Sequence, residues 1–452
     1  MKRFAILLAA AMLAAGCGRP VSSYSWEEDL AYRESVDFTW SRERVKTYIQ
    51  KYIPDVTDAQ IDEWTENGPL EAKVIDGELK YFNRTAAGLF RVDPECRAIK
   101  QAHDLKNVEP ERLLNGKIID DDEQALIAQI RDIMDDVLST GEPIQPGDRM
   151  KVKYTITVDA DAVPAGEKIR CWLPYPRSDV ARQTDVKFIG ASEKKYKFSK
   201  PDCPHSTLYM EKKAVAGEPT VFSEEFEYTY CPEWHRIDPD KILPYDKSTA
   251  LYKENTAERE AHIIFTDRLK ALADELTEGI DNPYLQAKAI FTWIRANYPW
   301  AGAREYSTLE MIPEYVLDAG HGDCGQVTLL LMTLLRIKGI PCHWQSGFVM
   351  DPSGWNLHDW CEVYYEGYGW IPTDQSAGVK DWGWDEDSRY YYLSGFGRYR
   401  MIVNEDYGRA LSPKKIYPRS ETVDFQRGEV EWRGGNIYFD SWDYDMDIEY
   451  LR

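Results

Sequence analysis

The stretch HGDCGQVTLLLMTLLRIKGIPCHW, from His321 to Trp344, constrains the chain more than any other. An apolar run of helical length begins at Cys324 and stops at Gly339, with Pro341 just beyond. Glycine ends helices because it enters the left-handed region freely, and proline cannot continue them. Asp323 stands where an N-cap belongs, since a short acceptor side chain satisfies the unpaired N–H groups of a first turn. Cys324 therefore falls in that first turn, at the positive end of the helix dipole. A thiol there is expected to have a lowered pKa, and the free N–H groups can hold an oxyanion. Gly322 and Gly325 leave room for a substrate to approach the backbone. Cysteine is also a common core filler, so filler, disulfide half, metal ligand and nucleophile all stay open at this point.

A second stretch supplies a base. NLHDWCEVYYEGYGWIPTDQSAG reads as two strands around a glycine-containing turn at Glu366–Gly369, with His358, Trp360, Glu362 and Tyr364 on one face of the first strand. Pairing the strands about Glu366 sets His358 opposite Asp374. Directly opposed residues of an antiparallel hairpin point to the same face with their Cβ atoms in contact range. Asp374 is then expected to hold one ring nitrogen of His358 while the other faces a thiol. A one-residue slip of register would undo this.

Whole-chain properties set the compartment and the class of partner. The net charge of −22 over 452 residues argues against nucleic acid, because phosphate binding needs a basic face. In MKRFAILLAAAMLAAGC, Lys2 and Arg3 precede an apolar run from Phe4 to Ala15 and then Gly16-Cys17. The run is too short to span a bilayer and reads as a secretion signal. Ending in LAAGC, residues 1–17 resemble a bacterial lipoprotein signal, with Ala14 where that pattern prefers Leu. The resemblance implies cleavage before Cys17, acylation of its thiol and a lipid anchor in the bacterial cell envelope, on the periplasmic or surface side of a membrane, with the outer membrane favoured. Of the eight cysteines, seven then remain in an exported chain, an odd number that leaves at least one thiol free or paired between chains.

Residues 18–146 read as a mixed, mainly helical region. DVTDAQIDEWTENG is a helix starting at Thr57 or Asp58, and EAKVIDGELKYF is a hairpin turning at Asp76-Gly77. In DDDEQALIAQIRDIMDDVLSTG, Leu126, Ile127, Ile130, Ile133, Met134 and Leu138 share a helical face that Gly141 ends. From Met150 the period becomes two, and Val152, Tyr154, Ile156 and Val158 alternate with polar residues, so 148–235 reads as a β-sandwich. Helical spacing returns in NPYLQAKAIFTWIRANY, with a stripe through Leu285, Ile290, Trp293 and Ile294. The core is expected over 236–400, and 401–452 as a strand-rich extension packing on it.

GHGDCGQVTLLLMTLLRIKGIP followed by HDWCEVYYEGYGWIPTD resembles the core of the transglutaminase-like superfamily, a branch of the papain-like cysteine enzymes. The likeness covers about 255–395, and the strand-rich segment before it resembles the β-domain that precedes this core in bacterial relatives. The resemblance implies an α+β fold with the cysteine helix packed on an antiparallel sheet. Carried over by motif, Cys324 matches the nucleophile, His358 the general base and Asp374 the acid. Trp300, with Tyr298 as alternative, matches the oxyanion-side donor beside the Cys324 backbone N–H. Three positions depart from the pattern: Cys342, Asp359 and Cys361 stand where small residues are usual, and a disulfide through Cys342 is one way such a site is blocked.

The expected function is cysteine-dependent acyl transfer on a peptide or protein substrate, with hydrolysis ahead of amine cross-linking and no cofactor. A non-catalytic binding or scaffold lipoprotein is the reading from another class. Cys203, His205, Cys231 and His235 form a set that zinc can use, but a Cys203–Cys231 disulfide is preferred in an exported β-domain. Oligomeric state is not written in the sequence.

Overall fold

In a computed structural model of the protein, residues 25–451 are described except 109–111, 115–116 and 384. The leader and Cys17 lie outside the described residues. The chain divides into two units, one joining 148–230 to the residues from 401 onward, the other joining Leu30–Gly147 to Cys231–Arg400.

The second unit begins with small elements whose local chemistry is plain. Thr57 caps the helix Asp58–Glu66 and forms a capping box with Gln60. The hairpin Ala72–Ile75 and Glu78–Phe82 turns through Asp76 and Gly77, at φ 51° and 80°. Two successive positive φ values match the right-handed twist of the flanking strands. Val45, Ile61, Leu70, Tyr81, Leu89 and Phe90 close a core beneath these elements and helix α1 (Thr85–Val92). Helix α2 (Pro94–Asp104) follows, capped by Asp93. Helix α3 (Asp121–Thr140) stops at Gly141, φ 78°. It buries Ile130, Ile133, Met134 and Val137, while Leu138, expected on that face, is 53% exposed. A period of 3.6 brings 137, not 138, above 130, 133 and 134.

Helix α4 (Pro283–Asn297) starts under Asn282, whose side chain accepts the N–H groups of Tyr284 and Leu285. Its buried stripe is Ala287, Ile290, Phe291 and Ile294; Leu285 of the expected stripe is exposed and Trp293 half-buried. Helix α5 (Cys324–Ile337) is buried at every residue from Gly325 to Arg336. A helix apolar on all sides must be enclosed on all sides. It packs on α4, on the helices Asp267–Leu276 and Ile312–Ala319, and on strands β1 (Cys342–Asp351) and β2 (Gly354–Tyr365). Leu329, Leu330, Leu331, Leu334 and Leu335 are fully buried, each stabilising by ~2 kcal/mol relative to exposure. Strand β2 lies between β1 and β3 (Gly369–Thr373) in an antiparallel sheet. This is the α+β arrangement expected, a cysteine helix on an antiparallel sheet.

The first unit is two antiparallel sheets. One runs Trp442–Leu451, Asp148–Val158, Thr220–Tyr230, Gln183–Ala191. The other runs Gly435–Ile437, Glu429–Trp432, Lys168–Pro174, Thr207–Lys213, Tyr196–Phe198. The alternation at Val152, Tyr154, Ile156 and Val158 is the buried face. Of the segment 401–452, expected on the catalytic core, the residues from Glu429 onward supply strands to both of these sheets, with Trp442 against Val158 and Val430 against Cys171. Alternating residues mark these stretches as strands, and strands pair with open sheet edges wherever the fold brings them.

Glu224 lies in this sandwich with both carboxyl oxygens buried and without hydrogen-bond partners among the described residues. Burial pushes its pKa well above the ordinary carboxylate value. A raised folded-state pKa favours the fold below the unfolded value of 4.5 and loses that contribution as pH rises through the folded value. Glu224→Leu is therefore expected to stabilise the protein by about 2 kcal/mol or more at pH 7 and by less at pH 4. Urea unfolding at the two pH values checks this; an equal effect at both would contradict it.

Candidate active site

The β2–β3 hairpin places two of the three motif residues together, in a register two residues from the expected one. Cys361 pairs with Thr373 and Tyr365 with Gly369, so the loop is 366–368 and not a turn centred on Glu366. Gly367 and Gly369, both at φ 93°, take the left-handed conformations that this three-residue loop needs. Continuing the ladder, Asp374 falls opposite Trp360, and His358 is its diagonal neighbour. The displacement of two residues keeps the face, because side chains alternate with period two. His358 Nε2 and Asp374 Oδ2 are 2.7 Å apart.

Asp374 is fully buried and also accepts Arg400 Nη2 at 2.5 Å and the Ala377 N–H at 3.0 Å. Burial alone would raise its pKa, but His358 and Arg400 outweigh that and hold the carboxyl well below the usual range. The Arg400 guanidinium lies over the Phe396 and Trp360 rings, 4.2 and 4.9 Å from their centroids. Trp360 is in turn fixed by Nε1 donating to Gln345 Oε1 at 2.6 Å. Arg400 was not visible to the sequence reading: it lies beyond the motif in a segment with no pattern that points to a carboxylate.

Cys324 is the first residue of α5, under the capping box that its neighbour Asp323 forms with Gln326. Its thiol is free and meets Asp359 Oδ2 at 3.5 Å. Asp359 follows His358 directly on β2 and is buried. The lowered thiol pKa expected from the helix dipole is reversed: burial, then the carboxylates of Asp359 and Asp323, push it well above the ordinary value. Burial also lifts Asp323 to about 6, against the Tyr306 hydroxyl at 2.5 Å and the Gln326 N–H. The clearance at Gly325 is taken by protein, since a Cβ there would sit 2.4 Å from the Tyr306 hydroxyl oxygen and 2.7 Å from Asp359 Oδ2.

Trp300 reaches the same loop through its backbone, which bridges Gly322, with the Ala301 N–H donating to Gly322 O at 3.2 Å. Its indole is 36% exposed and lies under Arg91, 4.6 Å from the guanidinium carbon. Tyr298 packs against Trp293 in a tilted pair, ring centroids 5.2 Å apart. Ile294, Arg295, Tyr298, Trp300, Gly322, Val327, Gln375 and Ser376 line one small cleft, which joins the Cys324 loop to the residues just after Asp374.

The other cysteine readings change. All seven described cysteines are free, so the preferred Cys203–Cys231 disulfide is absent. Cys203 donates to Ala410 O at 3.6 Å within its own unit. The zinc set fails as well: both His205 ring nitrogens are used, Nδ1 with Asn404 Oδ1 at 2.8 Å and Nε2 accepting the Arg409 N–H at 3.1 Å. His235 bonds Glu233 at 2.6 Å. Cys342 is fully buried, its thiol donating to Met332 O at 3.5 Å, which removes the reading of an inhibitory disulfide. Cys361 is core packing, as expected.

A cysteine at the start of a buried helix, set against a hairpin carrying a His–Asp pair, defines a transglutaminase-like core. Residues 270–375, which include Cys324, His358 and Asp374, match the model of the Transglutaminase-like superfamily. It is 21% identical over 172 residues to the uncharacterized protein YebA of Bacillus subtilis (strain 168), a match covering 34% of this chain and 23% of that protein's length. Two solved structures are similar. A "putative cysteine protease" from Cytophaga hutchinsonii has a TM-score of 0.46 and 14% identity, over 68% of this chain and 92% of the other. A "putative protease" from Parabacteroides distasonis has a TM-score of 0.22 and 12% identity, over 62% and 46%.

If Asp359 holds the thiol protonated, Asp359→Asn lowers the thiol pKa, because one of the two nearby carboxylates is lost. Iodoacetamide alkylation of Cys324 is then expected to run about ten-fold faster at neutral pH, with its pH midpoint displaced downward. An unchanged or raised midpoint would show that Asp359 does not set it.

Proposed function

We propose that this protein is a cysteine-dependent acyl-transfer enzyme of the bacterial cell envelope that hydrolyses peptide or amide bonds. The observation that carries the reading is the 2.7 Å His358–Asp374 contact on the strand whose next residue touches the Cys324 thiol. Nε2 bonds Asp374, and His358 Nδ1 is the nitrogen assigned to take the thiol proton. The thiol is protonated at rest, so proton transfer accompanies attack, with His358 as general base. The sulfur bonds to the carbonyl carbon, and the carbonyl electrons move to an oxyanion held by the Cys324 N–H and the Trp300 indole N–H. The indole N–H makes no other hydrogen bond among the described residues, which leaves it available. Collapse breaks the C–N bond, and the amine leaves with the proton from His358. Water, deprotonated by His358, then cleaves the thioester.

Hydrolysis is proposed over cross-linking because water is abundant in the envelope and no amine site is evident. Cys17 is proposed as the lipid anchor. No helix among the described residues is long and apolar enough to cross a membrane, which fits attachment by lipid.

Cys324→Ala and His358→Ala are each expected to lower kcat/KM on a peptide library by about a thousand-fold or more, and Asp374→Asn by about a hundred-fold. Equal turnover and equal probe labelling in wild type and Cys324→Ala would leave a non-catalytic scaffold. Incorporation of a tagged amine in place of hydrolysis would make the reaction cross-linking. For the anchor, Cys17→Ser is expected to abolish incorporation of labelled fatty acid and to move the protein to the soluble fraction; unchanged labelling would refute lipidation at Cys17.

A further inference from the structure

A groove of about 650 Å³ opens beside Trp300, between α1, α2 and the end of α4. Arg91, Arg97, Lys100 and Arg295 line it, with Asp104 as its acidic member. Lys100 is paired with Asp104, but the side chains of Arg91, Arg97 and Arg295 have neither a hydrogen bond nor an ion pair among the described residues. This is unusual in a chain with 77 acidic and 55 basic side chains, where a carboxylate is seldom far from any arginine. Arg91 and Arg295 stand in the last turns of α1 and α4, where helix dipoles favour cations. That accounts for a positive charge on each helix, but not for three guanidinium groups turned to one groove.

Both arginines also carry a cost that their surroundings do not offset. Burial lowers the pKa of each, with no ion pair to a carboxylate among the described residues. Arg295 is pressed against Gly378, where a Cβ would lie 2.6 Å from its Cδ. Arg91 is spread over the Trp300 ring. Guanidinium groups fixed in this way and left unpaired are preorganised for carboxylates, which they bind through two parallel hydrogen bonds.

The groove reaches the candidate site by shared walls. Arg295 and Trp300 line both it and the cleft bounded by Gly322 and Gln375, two residues before Cys324 and one after Asp374. We propose that the groove binds the acidic side chains of a peptide substrate on one side of the bond attacked at Cys324, so that the enzyme selects glutamate- or aspartate-bearing segments. The proposal rests on the catalytic reading above for its second half only, since binding of acidic peptide does not require turnover. The volume suits a few residues of extended peptide.

Two measurements test it. Binding is read by fluorescence anisotropy of fluorescein-labelled peptides, one rich in Glu and one with Gln at the same positions, on the full chain carrying Cys324→Ala. The Glu peptide is expected to bind at least about ten-fold more tightly, with the difference shrinking as salt is added. Arg97→Gln with Arg295→Gln is expected to abolish the difference, Arg97→Glu to reverse it, and Lys197→Gln on the other unit to leave it intact. Turnover is read with fluorogenic peptides differing in the same way, where the preference is expected to lie in KM. Equal affinity for the two peptides, a preference that survives in the double variant, an equal loss in Lys197→Gln, or binding of anionic vesicles without binding of the Glu peptide would each overturn the proposal. If the Glu preference in binding stands and no peptide is cleaved, the catalytic reading fails and the groove remains. Cleavage without any Glu preference gives the opposite result.

Discussion

The structure around the candidate site depends on the enclosure of α5. A helix buried along its whole length has no solvent face on which to slide or rotate, so its first residue is held as firmly as its middle. Packing on two strands and three helices fixes the axis, and the Asp323–Gln326 capping box fixes the start. Cys324 thus has one position relative to β2, set by core packing more than by any contact of its own. Whatever the thiol does, the apolar residues behind it determine where it does it.

Charge around the site is arranged in two opposed ways. At Asp374, two cationic partners overcome burial and keep the carboxylate ionised, which suits a group that orients a histidine and steadies its charged form. At Cys324, two carboxylates reinforce burial and keep the thiol protonated. His358 and Asp359 are consecutive on β2, so one short stretch of strand carries both the partner of the stabilised anion and a partner of the suppressed one.

Much of this was legible in the sequence where a periodic rule carried the information. The α5 start and stop follow from Asp323, Gly339 and an unbroken apolar run. His358 and Asp374 follow from alternation, which is why an error in the turn did not separate them: a shift of two residues preserves the face. Features that depend on distant segments were not legible. Arg400 reaches Asp374 from 26 residues further along, and Asp359 could be seen as unusual but not as the thiol's partner. The expected lowering of the Cys324 pKa rests on a local effect, the helix dipole, and is overturned by burial and two carboxylates brought in by tertiary structure. Strand alternation in 442–451 showed a strand without showing which sheet it joins, since pairing partners are not written locally.

The discontinuity of the sandwich has a consequence for how the protein is made. The strand Asp148–Val158 is interior in its sheet, yet one of its two neighbours is Trp442–Leu451, which leaves the ribosome only after the whole transglutaminase-like domain has been synthesised. Until then a long edge with a full row of unpaired backbone groups stands open, an invitation to pair with any other extended chain. A lasting sandwich therefore forms last, and the intervening domain must complete its own folding while its ends are not yet tied together. The order of synthesis thus makes closure of this sheet a late event, set by when the last strand becomes available and not by the strength of its pairing.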